Sequence, residues 1–115
     1  MQRIETQQLG IAQDSILLFS DFQHGGAMWT ETGPRELRHE VEFSEAFLRP
    51  PAVFIGLSML DMDRATNHRV DLSAENVTER GFTIVFRTWG DTRVARVRAD
   101  WSAMGALRYE DDWDV

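Results

Sequence analysis

Residues 80–89 read Arg80-Gly81-Phe82-Thr83-Ile84-Val85-Phe86-Arg87-Thr88-Trp89, and residues 92–101 read Thr92-Arg93-Val94-Ala95-Arg96-Val97-Arg98-Ala99-Asp100-Trp101. Both runs alternate with period two, the mark of a strand with one buried face. Phe82, Ile84 and Phe86 share one face of the first run, and Thr83, Val85, Arg87 and Trp89 the other. In the second, Ala95, Val97, Ala99 and Trp101 oppose Val94, Arg96, Arg98 and Asp100. The link Trp89-Gly90-Asp91-Thr92 carries turn residues, so the two runs are expected to pair as a β-hairpin.

Working outward, residues 35–43 put Leu37, Val41 and Phe43 on one face, with His39 between them. A helix could also claim this charged stretch. A strand is the better reading because Pro50-Pro51 and the next strand follow so soon. Residues 52–60, Ala-Val-Phe-Ile-Gly-Leu-Ser-Met-Leu, are apolar on both faces, and such a strand must be covered twice. A small domain has few spare elements, so the outer cover is expected to come from other copies of the chain. Shorter strands are expected at 2–8, 15–20, 69–75 and 104–108. Turn signals fall at Gly25-Gly26, Gly33-Pro34, Pro50-Pro51, 63–67 and Glu79-Arg80-Gly81. Many short strands between turns indicate a β-sandwich or barrel. The expected fold is all-β, a six- to seven-stranded antiparallel β-sandwich. The stretch 21–34 reads as one long loop, and loops of that length tend to be functional.

The chain has 115 residues, which suits one domain, 1–115. Within it, 1–34 would form N-terminal strands and the loop, 35–108 the sandwich core, and 109–115 an acidic tail. Hydrophobic residues make up 43% and charged residues 27%, an ordinary globular mix. No apolar run approaches the ~20 residues of a membrane span, so no membrane insertion is expected. The start, Met1 to Gln8, lacks an apolar signal region. A cytoplasmic location is expected on that ground, or release or particle association by a route other than general secretion. There is no cysteine, which excludes disulfides and thiolate metal sites. The net charge of −7 argues against a nucleic-acid partner, since phosphate binding needs a basic face. All 12 basic residues are Arg. Codon bias explains that, and so would a use of guanidinium forks at interfaces and polar ligands. Asn76-Val77-Thr78 matches a glycosylation acceptor but is read as a turn.

The chemistry of catalysis is poorly represented. There is no cysteine nucleophile, no Gly-flanked serine elbow, no phosphate loop and no dinucleotide fingerprint. His24, His39 and His68 lack zinc-ligand spacing. Asp61, Asp63 and Asn67 faintly resemble a calcium loop but lack its central Gly and terminal Glu. Neither an enzyme nor a cofactor nor a metal is expected. Binding features are richer. Sugars offer C–H faces to aromatic rings and hydroxyls to Arg, Asp and Asn. Trp101 shares a face with Ala95, Val97 and Ala99, which marks it as core. Trp29 serves core cover and ligand contact equally well as a reading. Trp89, at a strand end beside a turn, is the candidate for an exposed ring.

These residues together resemble the H-type lectin domain, the family of snail agglutinins and of the C-terminal domain of slime-mould discoidins. The resemblance runs in order through Arg35-Glu36-Leu37, Val41-Glu42-Phe43, 47–53, Leu60-Asp61, Asn67-His68-Arg69-Val70, Val77-Thr78, Gly81-Phe82, Thr88-Trp89-Gly90-Asp91-Thr92 and the strand to Trp101. The loop 28–35 also looks like the leading loop of many members. The resemblance implies a six-stranded sandwich assembled as a homotrimer, with stacked trimers also compatible. It implies galactose-type ligands, often N-acetylgalactosamine, in shallow sites near protomer contacts.

Carried over position by position, Arg69 matches the arginine that hydrogen-bonds ring hydroxyls, and Trp89 matches the tryptophan beside the sugar. Gly90 stands where the family has a histidine, Thr32 where it has an aspartate, and Ala95 at a supporting tyrosine. Losing a charged acceptor for hydroxyls costs about 1.5–3 kcal/mol. Glu31 or Asp91 could replace it. Arg69 could equally pair with carboxylates of a neighbouring copy. The expected function is a carbohydrate-binding, lectin-like module with ligand residues Arg69, Trp89, Gly90, Thr32 and Asp91. The alternative is a structural or adhesion trimer of a bacterial or phage-like particle without sugar specificity.

Overall fold

The computed structural model describes residues 1–108. The acidic stretch Glu110 to Asp114, expected as a solvated tail, lies outside the described residues. Six strands form in chain order: β1 (Leu9–Ser20), β2 (Arg35–Glu42), β3 (Ala52–Met62), β4 (Val70–Glu75), β5 (Gly81–Thr88) and β6 (Val94–Ala106). They make two three-stranded antiparallel sheets, ordered β1-β6-β3 and β2-β5-β4. The inner faces meet in two apolar clusters. One holds Phe19, Met28, Phe86, Val94 and Val97, and the other Phe43, Phe47, Phe82, Ile84 and Ala103. The alternation of residues 80–101 marks Phe82, Ile84, Phe86, Val97 and Ala99 as buried, which they are, but Thr83, Val85 and Val94, read on the opposite faces, are buried too, and Val94 joins the same core cluster as Val97. Trp101 packs into the core against Phe82 and Phe43, with ring centroids 5.4 and 5.9 Å away.

The expected hairpin does not form. β5 pairs with β2 and β4, while β6 pairs with β1 and β3. Each is the central strand of its own sheet, and residues 89–93 cross from one sheet to the other. Central position buries a strand most, which is why these two runs carry the strongest alternation. Alternation shows which side of a strand is buried and says nothing about its neighbour. Two further expectations change. Residues 2–8 form no strand, and 104–108 is the end of β6 rather than a separate element. The 21–34 stretch contains two helical turns, α1 (Asp21–His24) and α2 (Ala27–Thr30). The Asp21 carboxylate accepts from the Met28 N–H at 3.0 Å and buried Met28 anchors the pair. The strand reading of 35–43 holds against the helical one. Asn76-Val77-Thr78 sits in the β4–β5 turn, with Asn76 at φ 53°.

The two outer faces differ. On the β2-β5-β4 sheet, Arg87 bridges Glu36 at 2.8 Å and Glu75 at 3.0 Å, and Arg38 reaches Glu75 at 3.3 Å. The Thr83 hydroxyl donates to Glu40. This charged lattice closes over Thr83 and Val85, which are buried although they point outward. Among the described residues, the outer face of the β1-β6-β3 sheet has no such cover. Phe54 is 63% exposed, Ile11 60% and Leu17 52%. The described residues of the single chain thus leave the doubly apolar strand without its second cover.

Candidate functional site

The site expected from the sequence lies where residues 88–93 cross between the sheets, above the cluster of Phe19, Met28, Phe86, Val94 and Val97. Two buried threonines hold it. The Thr92 hydroxyl accepts from the Arg69 N–H at 3.1 Å and donates to the Asn67 carbonyl at 2.6 Å. The Thr88 hydroxyl donates to the Arg69 carbonyl. A hydroxyl can donate and accept at once, so each threonine does what a valine could not. Together they pin residues 67–69 to the crossing.

The side chains above follow from that clamp. Arg69 Nη1 lies 2.9 Å from Asp91 Oδ1. The Asn67 side-chain amide donates to both Asp91 oxygens at 3.2 and 3.3 Å. These bonds, Asn67 first and Arg69 after it, hold the Asp91 carboxyl below its ordinary pKa. Most of the acceptor capacity of Asp91 is therefore used inside the chain. Among the described residues, nothing accepts from Arg69 Nε or Nη2. Trp89 follows β5 and is 44% exposed. It borders an open groove of about 270 Å³ with Pro34, Glu36 and Arg87.

Gly90 has φ 69°, the left-handed region that glycine enters without strain. A Cβ there would also come within 3.1 Å of Arg69 Nη1. Its carbonyl accepts from the Gly33 N–H at 2.8 Å, which brings the loop carrying Thr32 alongside. Thr32 is exposed, as is Glu31. The structure thus gathers Arg69, Trp89, Gly90 and Asp91 at one end, with Thr32 beside them. Ala95 is buried at the start of β6.

Sequence reasoning passed over Arg35 as an anchor. It is buried, donating from Nε to the Gly33 carbonyl at 2.9 Å, from Nη1 to Met28 at 3.1 Å and from Nη2 to Gly90 at 3.3 Å. Burial lowers its pKa, against the opposing pull of Glu31, while a guanidinium keeps its charge in proteins. A signal was present, because Arg35 shares odd parity with the inward Leu37, Val41 and Phe43. Trp29 is held from the other side. Arg93 lies over its ring at 4.5 Å and donates to its carbonyl at 2.7 Å, and Phe22 meets it edge-on at 5.1 Å. The faint calcium loop is dispersed. Asp61 pairs with Arg96, Asp63 faces Arg93, and Asn67 is bound to Asp91.

Comparison with known proteins places this geometry. The protein is 60% identical over 107 residues to the "ATP synthase subunits region ORF 7" protein of Fuscovulum blasticum, 93% of each chain. It is 36% identical over 78 residues to a discoidin-1 chain of Dictyostelium discoideum, covering 67% of this chain and 31% of that one. The solved structure of discoidin II from the same organism superposes with a TM-score of 0.73 at 25% identity, over 86% of this chain and 37% of that one. The chain thus spans about a third of the length of the discoidins it matches. Residues 38–104 match the H-type lectin domain, and they contain β3, β4, β5, Arg69 and the whole crossing from Thr88 to Arg93. The chain belongs to the H-type lectin domain family.

Proposed function

We propose that the chain is a carbohydrate-binding module that grips galactose- or N-acetylgalactosamine-type sugars beside Trp89, without catalysis. One observation carries this reading. Arg69 is fixed by Thr88, Thr92 and Asp91, yet its Nε and Nη2 donors have no acceptor in the described chain. A pre-placed, partly free guanidinium, tied to Asp91 two residues along from an exposed Trp89, suits a sugar ring, with hydroxyls for the donors and C–H groups for the indole. Family membership supports the same reading.

Each site binds weakly, because Thr32 and Gly90 replace side chains that would contact ligand in the family pattern. Several sites on a homotrimer raise the effective affinity through avidity. The open apolar face around Phe54 supports assembly of copies. A second reading is a structural or adhesion module without sugar specificity. It is favoured by Asp91 being occupied by Arg69 and Asn67, which leaves it little capacity for a sugar hydroxyl.

A glycan array on purified protein of verified mass separates the two. Binding to terminal galactose-type sugars that Trp89→Ala abolishes, with the β-type circular dichroism unchanged, supports the lectin reading. An array without hits on an assembled protein supports the structural one.

A further inference from the structure

The register of the β2-β5-β4 sheet brings three chain segments to one end of the site. Arg35 and Val70 pair with Thr88 from opposite sides. Pro34, Trp89 and Arg69 are each the next residue beyond that row, so they leave the three strands side by side. One row inward, Glu36 and Asp71 flank Arg87 in the same way. The open groove of about 270 Å³ takes its walls from Pro34, Glu36, Arg87 and Trp89, on the β2 side of Trp89. Arg69 precedes β4, on the other side. Arg87 is fully engaged. Its Nε meets Glu36 Oε1 at 2.8 Å, its Nη2 meets Glu75 at 3.0 Å, and its Nη1 faces Asp71 at 3.7 Å. Arg38 also approaches Glu36 through Oε1, at 3.6 Å. Glu36 Oε2 accepts from no donor among the described residues.

We propose that the site takes a neutral disaccharide unit rather than a single sugar ring, with the terminal ring held at Arg69 and Trp89 and the second ring in the groove between Trp89 and Pro34, where Glu36 Oε2 accepts from one of its hydroxyls. The inference rests on the carbohydrate reading above. It deepens that reading by naming the length and the charge of the ligand.

Three adjacent strands span about 10 Å between the outer two, the length of two linked rings rather than one. Trp89 and Pro34 present apolar surface to the C–H face of a ring. A hydroxyl that donates to a carboxylate makes a charge-assisted bond, stronger than a neutral one. Asp91 is already bound to Asn67 and Arg69, so Glu36 is the carboxylate with an open oxygen along the groove. The charge of the second ring follows from the same surroundings. Glu36, Asp71 and Glu75 stand around only two cations, Arg38 and Arg87. A ring with its own carboxylate would meet a net negative surround, which repels it.

Calorimetric titration tests this with galactose, N-acetylgalactosamine and a panel of disaccharides that end in either sugar through different linkages. At least one neutral disaccharide is expected to bind about tenfold tighter than its terminal sugar alone. Glu36→Gln keeps an oxygen for Arg87 and replaces the open acceptor with an NH₂ donor. It is expected to erase the disaccharide gain and leave monosaccharide affinity unchanged. A disaccharide of the same terminal sugar and linkage, with a uronate as its second ring, is expected to show no gain on the wild type. Three results each overturn the second-ring assignment: no disaccharide binding tighter than its terminal sugar, Glu36→Gln weakening both ligands equally, or the uronate gaining as much as the neutral ring. Should Glu36→Gln lose its β-type circular dichroism, the wild-type comparison of uronate with neutral ring decides. Wild-type protein that binds neither monosaccharide nor disaccharide overturns the carbohydrate reading itself, and this inference with it.

Discussion

Thr92 carries Arg69: its buried hydroxyl accepts the Arg69 N–H at 3.1 Å while donating to the Asn67 carbonyl at 2.6 Å. The backbone that holds the guanidinium therefore hangs from the turn that holds the indole. Neither of the two is independent of the other.

Thr92→Val keeps the shape and removes both bonds. It leaves one donor and one acceptor without a partner, at a cost of about 2 kcal/mol. For a domain of this size that lowers Tm by roughly 10 °C, which calorimetry measures. Sugar binding is expected to weaken although neither Arg69 nor Trp89 has changed. Undiminished glycan binding in this variant would show that the clamp does not position the site.

The Asp91 carboxyl is held below its ordinary pKa, so its contribution has a defined pH window. A group whose folded pKa is depressed stabilises the fold above its unfolded value, about 3.9 for Asp. That contribution fades as pH falls below about 4 toward the folded pKa. The anchor on Arg69 thus persists at about pH 5 and is released only in stronger acid. Carbon-detected NMR of the Asp91 carboxyl is expected to give a midpoint below about 3.9, with the Asn67 amide shifting alongside. A midpoint at or above that value would contradict the arrangement.

Arg35 spans three carbonyls from beneath the site. Arg35→Met leaves buried carbonyls without donors and is expected to destabilise the fold by about 2–4 kcal/mol. Arg35→Lys should recover only part of this, because an ammonium lacks the fork that reaches all three. Urea unfolding midpoints rank the variants. Equal stability of the Lys and Arg forms would remove the case for the fork.

Much of the fold was legible in the chain because burial on one side of a strand leaves a local trace. The alternation at Phe82, Ile84 and Phe86, and at Val97, Ala99 and Trp101, marks two inner faces wherever their strands sit. The doubly apolar run 52–60 marks a strand with an uncovered side, and Phe54 stands on it. Trp89 stood out by its place at a strand end beside a turn, whereas Arg69 entered only through the family resemblance, since a lone Arg has many uses.

Only the tertiary structure decided who neighbours whom. It separated the runs 80–89 and 92–101 into different sheets, because each found two better partners far along the chain. It tied Asp91 to Asn67 and Arg69, which lie 24 and 22 residues away, and so removed Asp91 as a free acceptor while leaving Arg69 partly open. It turned Thr88, Thr92 and Arg35 from unremarked polar residues into the frame of the site. Period and composition record whether a side chain is buried, a property each residue carries in its own neighbourhood. Pairing depends on contacts between distant segments, whose geometry exists only once the two sheets have closed on each other.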